Sequence, residues 1–200
     1  MRKNLRYLCS MKEFVERIGA TYNIERADIE ELLGYTHEER MPKNHCVVEY
    51  GAYNDTLYFV GEGIMRAFRS PSDRNLTLWF AYPGDVVVDM FCYYGRGNSP
   101  IGIETETEVV AFAITREQLE RVCESSLRMA NTVRRIFERH AFTFEQSVLS
   151  LWDCEGGRER YMAVLKNHPE LLQYVPLKKL ASYLMVTPQS LSRIRASLKM

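Results

Sequence analysis

The sequence predicts an α+β chain in which a small barrel or sandwich of short strands is followed by a long helix and a basic helical terminus. Three observations carry this. Between about His45 and Ile114, short β-type runs alternate with Gly, Pro, Asn and Asp. Between about Ser126 and Trp152, apolar residues recur at steps of three and four. Beyond Gly157 the charge changes sign: eight basic residues against two acidic ones give +6, while the residues up to Gly157 carry −6 and the whole chain is neutral. A basic tail on an acidic body is what a polyanion-binding segment joined to a sensing or scaffolding domain requires.

The elements follow in order. Two helix-like pieces, "MKEFVERIGATY" and "ERADIEELLGY", form a lead-in. The runs "HCVVEY", "TLYFV", "IMRAF", "LTLWFAY", "VVVDMF" and "EVVAFAI" read as strands, with a hairpin predicted at "VGEG" and a second tight turn at "YPGD". Many short strands with turns between them favour a barrel or sandwich. A short helix starts near Thr115. In the long helix, Leu127, Ala130, Arg134, Phe137, Ala141, Phe144, Val148 and Leu151 have the spacing of a coiled-coil seam, and Val133, Ile136 and His140 form a neighbouring stripe. Two stripes predict two partners, the barrel and an identical helix, with Ala130, Phe137, Ala141, Phe144, Val148 and Leu151 at a dimer interface. The alternative is that the seam itself lies on the barrel. "CEGGRER", with adjacent Gly156 and Gly157, is the expected hinge.

At 200 residues and 46% hydrophobic content, the chain can bury one good core, or a medium domain and a small satellite. No run approaches the roughly 18 apolar residues of a membrane span, and "MRKNLRYLCSMKEF" carries charges where a signal peptide needs an apolar stretch. A soluble, cytoplasmic protein without membrane contact is expected. The five cysteines are widely spaced with no C-x-x-C pair, and His37, His45, His140 and His168 are dispersed, so neither a metal nor a cofactor is assigned.

The chain ends in "LASYLMVTPQSLSRIRASLKM". Leu177, Leu180, Ala181 and Leu184 share one helical face, which puts Lys178, Lys179, Ser182 and Tyr183 outward. Met185 opens the turn where glycine is common, at a cost of roughly 1 kcal/mol. Thr187 then supplies an N-cap hydroxyl and Pro188 the first helical position. On the second helix Leu191, Ile194 and Leu198 cluster opposite Gln189, Arg193, Ala196 and Ser197. An arginine fork matches guanine O6 and N7, a glutamine amide matches adenine, and small neighbours permit close approach. Lys178, Lys179, Thr187 and Arg195 are placed for phosphates, and Ser190 completes the expected DNA-binding set. The plainer reading is a helical hairpin with a solvated basic face.

With "LYFVGEGIMRAF", "YPGD", the long helix before a hinge and "VPLKKLASYLMVTPQSLSRIRA", the chain from about residue 40 onward resembles the Crp/Fnr superfamily of bacterial transcription regulators. Its end resembles the helix-turn-helix of a Bacteroidetes-type branch. The resemblance implies a cyclic-nucleotide-binding-like β-roll (a double-stranded β-helix) after the helical lead-in, within residues 1–125. It further implies a dimerisation helix over 126–153 and a helix-turn-helix DNA-binding domain over 158–200, without the strand wing that follows in some relatives. The expected partners are double-stranded DNA, a second copy of the chain, RNA polymerase and a small-molecule effector of unspecified chemistry.

The resemblance weakens at the ligand site. Relatives that bind cyclic AMP carry a Gly-Glu-Leu type triplet and, about ten residues on, an Arg-Ser pair whose arginine neutralises the phosphate. Here Val88, Asp89 and Met90 occupy the triplet and Ser99 and Pro100 the pair, so that arginine is missing, with Arg96 nearby. The lost charge-assisted hydrogen bond is worth ~1.5 to 3 kcal/mol, which predicts no tight cyclic AMP binding. Phe59, Trp79, Asp89, Met90, Phe91 and Ser99 are the candidate lining for another ligand, against the alternative that these aromatics are packed core. Two other functions stand beside this one: a sensor module whose terminal domain no longer reads DNA, and a cupin-like enzyme. The second needs histidines on its strands, and "GIMRAFRSPSDRNLTLWF" has none, so no enzyme is expected.

Overall fold

The computed structural model describes residues 2–70, 75–95 and 97–198, with the backbone alone at residues 2–10, 151 and 152. Arg96 and Lys199 thus lie outside the described residues, and Leu151 outside the described side chains. The strands are β1 (His37–Met41), β2 (Cys46–Val48), β3 (Thr56–Glu62), β4 (Met65–Arg69), β5 (Leu76–Ala81), β6 (Val86–Val87), β7 (Gly102–Thr105) and β8 (Val109–Thr115). They form two antiparallel sheets, ordered β1-β8-β3-β6 and β2-β7-β4-β5. Tyr58, Val60 and Ala111 from the first sheet meet Met65, Ala67 and Ile103 from the second in an apolar interior.

Several sequence expectations change here. "VGEG" is not a hairpin, because β3 pairs with β6 and β8 whereas β4 pairs with β5 and β7. It is a corner at which the chain passes from one sheet to the other, with Gly63 at φ 88° and so close to the Glu108 carbonyl that a Cβ would sit 2.2 Å from it. "YPGD" is the return corner, with Gly84 at φ 96° under the Arg17 side chain. Of "VVVDMF" only Val86–Val87 is strand, since Asp89 caps the short helix α3 (Met90–Tyr93) by accepting from the Phe91 N–H at 2.9 Å. Strands β1, "HEERM", and β7, "GIET", escaped the pattern because neither is an apolar run; β1 is an edge strand that buries only Met41.

Naming the helices in chain order, α1 (Arg2–Tyr22) and α2 (Arg26–Leu33) precede the sheets, and α4 (Arg116–Ser125) and α5 (Leu127–Trp152) follow them. Thr115 starts α4 with a capping box closed by Gln118, and Ser126 caps α5. These four helices cover the outer face of the first sheet, where Leu57, Phe59, Phe112 and Ile114 pack on Ile18, Ile29, Leu119, Met129, Val133 and Ile136. Burying each of the last three secures α5 by about 1.5 to 3 kcal/mol. Beyond His140, α5 is exposed: every residue from 141 to 150 is so, Phe142, Phe144, Val148 and Leu149 among them. Phe137 departs from the expected seam, because its half-buried ring stands 5.4 Å from Tyr93 and 5.9 Å from Tyr94.

The last helices are α6 (Gly157–Asn167), α7 (Leu171–Tyr174), α8 (Leu177–Tyr183) and α9 (Pro188–Ser197). Tyr161, Val164, Leu171, Leu180, Leu184 and Leu191 form their common core, which continues into Ile64 and Phe80 on the outer face of the second sheet. Gly157 permits the start of α6 to pass under the α8–α9 turn, since a Cβ there would lie 2.3 Å from Val186 Cγ1. Among the described residues, no helix is long and apolar enough to cross a membrane, and no group of three or more His, Cys, Asp or Glu could hold a metal ion.

Candidate nucleic-acid interface

The α8–α9 connection is a Schellman turn. Met185 adopts φ 54°, its N–H donates to the Ser182 carbonyl at 3.1 Å, and the Val186 N–H donates to the Ala181 carbonyl at 3.0 Å. A non-glycine residue holds the left-handed position because Leu184 and Val186 on either side are drawn into the core. Arg160, from α6, donates to the Leu184 carbonyl at 2.8 Å and closes the end of α8. Thr187 then caps α9, accepting from the Ser190 N–H at 3.1 Å, with Pro188 in the first turn. Leu191 is fully buried and fixes the rotation of α9.

That rotation leaves Gln189 and Arg193 exposed one turn apart, with Ala196 and Ser197 exposed beyond them. Lys178 and Thr187 are exposed, while Ser190 and Arg195 are half-buried at the margin. The expected DNA-binding residues therefore come together, with one exception.

Lys179 does not face outward. Its ammonium lies 2.7 Å from Glu104 Oε1 and 2.8 Å from Glu106 Oε1, both on the sheet side of the molecule. Beneath it Arg66, completely buried in β4, sets its Nε 3.0 Å from Glu104 Oε1 and 2.9 Å from Glu106 Oε1, and its Nη1 2.8 Å from both Asn75 Oδ1 and Thr77 Oγ1. Burial on its own would raise the Glu104 carboxyl, but hydrogen bonds and charge from Lys179 and Arg66 outweigh it and hold the group below its ordinary range. Glu106 is fully buried, and its Oε2 has no hydrogen-bond partner among the described residues.

Ser182 and Tyr183 face the same way. Ser182 Oγ accepts from the Thr77 N–H at 3.0 Å, Thr77 Oγ1 donates to the Lys179 carbonyl at 3.1 Å, and the Tyr183 ring meets Phe80 edge-on at 5.1 Å. The outward face of α8 expected from periodicity is thus the face laid on β5. In this arrangement Lys179 ties α8 to the second sheet and is turned away from the exposed Gln189–Arg193 face. Reasoning from sequence missed Arg66, Glu104 and Glu106; the available signal was an arginine inside the apolar run "IMRAF" and the alternating acids of "GIETETE".

The six residues proposed as a roll ligand site do not form one pocket. Phe59 is on the outer, helix-covered face of the first sheet, because alternation puts Tyr58 and Val60 inward. Asp89 is buried and occupied as the α3 cap, with Cys92 Sγ 3.3 Å from its second oxygen. Ser99 is buried and closes on its own loop, donating to the Ile101 carbonyl at 2.6 Å. Met90 and Phe91 lie exposed on α3, and Trp79 lines a different cavity, where the sheets meet α5 and the terminal helices.

Residues 38–126 match the cyclic nucleotide-binding domain family. No curated protein sequence matches the chain. Among solved structures, the regulator CLP of Xanthomonas campestris, described as c-di-GMP responsive, is 20% identical with a TM-score of 0.69, over 88% of this chain and 92% of that one. FixK2 of Bradyrhizobium japonicum is 19% identical at 0.66, over 82% and 84%, and the catabolite activator protein of Thermus thermophilus is 19% identical at 0.52, over 88% and 84%. From Glu38 onward the two sheets thus fall within the region similar to the cyclic nucleotide-binding domain family. The chain as a whole shares its fold with Crp/Fnr-type regulators.

Proposed function

We propose that the chain is a homodimeric, DNA-binding transcription regulator of the Crp/Fnr type, acting in the cytoplasm beside RNA polymerase, with an effector other than cyclic AMP or none. The observation that carries it is the exposed Gln189–Arg193 face of α9, held by a capped helix and a Schellman turn on a segment of net charge +6. In the proposed mode α9 enters the major groove, Gln189 and Arg193 read base edges, and Lys178, Thr187, Ser190 and Arg195 meet phosphates. The apolar surface of α5 around Ala141, Phe142, Phe144, Val148 and Leu149 supports pairing with a second copy, which sets two recognition helices on a two-fold symmetric site.

Within the roll, the engaged Asp89 and Ser99 and the absence of an arginine in the motif support exclusion of cyclic AMP. Selection of binding sites from random duplexes, repeated with Arg193→Ala, tests the reading. A two-fold symmetric site that the variant loses or relaxes is the expected result. Salt-sensitive binding without sequence preference would instead favour the sensor module that no longer reads DNA, a reading that the withdrawal of Lys179 from the DNA face supports.

A further inference from the structure

A cavity of about 190 Å³ lies where β5, the Tyr82–Asp85 corner, the end of α1, α5 and the α6–α7 junction converge. Its walls are mainly rings: Trp79 and Phe80 from β5, Tyr82 stacked on His168 at 4.2 Å and 10°, and Phe144 from α5. Its polar groups are few. The Tyr22 hydroxyl accepts from the Val86 N–H at 2.9 Å, and the half-buried His140 is pushed toward its neutral form by desolvation. Asp85 Oδ2 accepts from the Tyr82 N–H at 2.8 Å, and Oδ1 has no donor among the described residues. For comparison, an apolar cavity of about 150 Å³ holds a benzene ring.

We infer that this cavity is a binding site for a small aromatic cation, a single ring carrying a protonated amine, with the ring among Trp79, Tyr82 and His168 and the ammonium on Asp85. Ring faces attract a cation electrostatically, and a carboxylate with an unused oxygen supplies the charge-assisted hydrogen bond that fixes its position. An aromatic anion would meet the same carboxylate as a repulsion. The assignment deepens the proposed regulator by naming the chemistry of its effector. A ligand here touches the roll, α5 and the terminal helices together, so its occupancy bears on how α8 and α9 are held.

Calorimetric titration of the full chain with phenethylamine, 2-phenylethanol and phenylacetate tests the site with one ring and three charges. Phenethylamine is expected to bind with Kd below about 1 mM, at least about tenfold tighter than phenylacetate, with the alcohol between them. Asp85→Asn, which keeps an acceptor for the Tyr82 N–H, and Ser147→Trp, a substitution at an exposed position of α5 on the cavity wall, are each expected to weaken amine binding about tenfold or more. Binding of none of the three compounds, equal affinity for amine and acid, or unchanged amine affinity in either variant overturns the assignment. No DNA enters the titration, so its failure leaves the regulator reading standing, and failure of site selection leaves the titration result standing.

Discussion

Replacing Lys179 with methionine keeps the aliphatic stem and removes the charge from the cluster that joins α8 to the second sheet. Glu104 and Glu106 are then left with Arg66 as their cation, and Glu106 has no route to water. Truncating one partner of a buried ion pair costs roughly 3 to 5 kcal/mol; with Lys179 23% and Glu104 20% exposed, about 2 to 3 kcal/mol is expected. For a chain of this length that lowers the melting temperature by roughly 5 to 10 °C at pH 7. The pH dependence is the sharper test. Because Glu104 is held below its ordinary value of 4.5, its contribution is present above that pH and lost as pH falls through the lowered folded value. The gap between wild type and Lys179→Met should therefore narrow below about pH 4.5, and adding Glu106→Gln should recover part of the loss at pH 7. Thermal unfolding by circular dichroism at pH 7 and pH 4 measures all of this. A loss under about 0.5 kcal/mol at pH 7, or a penalty as large at pH 4, would refute the reasoning.

Met185→Gly relieves the left-handed position and should stabilise the chain by about 0.5 to 1 kcal/mol, read from denaturant midpoints. Gly157→Ala places a methyl 2.3 Å from a stiff valine branch and should cost about 1 to 3 kcal/mol in the same measurement. Lys178→Ala should reduce the slope of log K against log salt for DNA by about one unit, whereas Lys179→Met should leave that slope unchanged. Val148→Asp puts a charge on the exposed apolar face of α5 and should convert a dimer to monomers at micromolar concentration, as followed by light scattering.

Periodicity served well where one partner surface dominates. It located α4, with its start near Thr115, α5 and α9, the capping role of Thr187, and the buried stripe of Val133 and Ile136. It misled where a face is covered by something distant in sequence. A short helix with Lys179, Ser182 and Tyr183 on one side reads as solvated, and only a strand about a hundred residues earlier makes that side an interface. Turn chemistry marked Gly63 and Gly84 as turns but read the first as a hairpin, because that the flanking strands belong to different sheets is a matter of non-local pairing. The candidate roll pocket failed for a related reason: Asp89 and Ser99 are polar residues used up by their own loops.

Arg66 bears on how such a protein can be taken apart. A guanidinium in the middle of a central strand is tolerable only while glutamates meet it and a helix closes over them. The outer face of the second sheet is thus made for one specific cover, and the roll and the terminal helices are not interchangeable modules despite the glycine pair between them. Grafting a different set of terminal helices after Glu155 would leave this charged floor open to whatever the new helix presents. A chimera that keeps Lys179 and Ser182 on its docking helix should fold as one cooperative unit, and one that lacks them should melt in two steps.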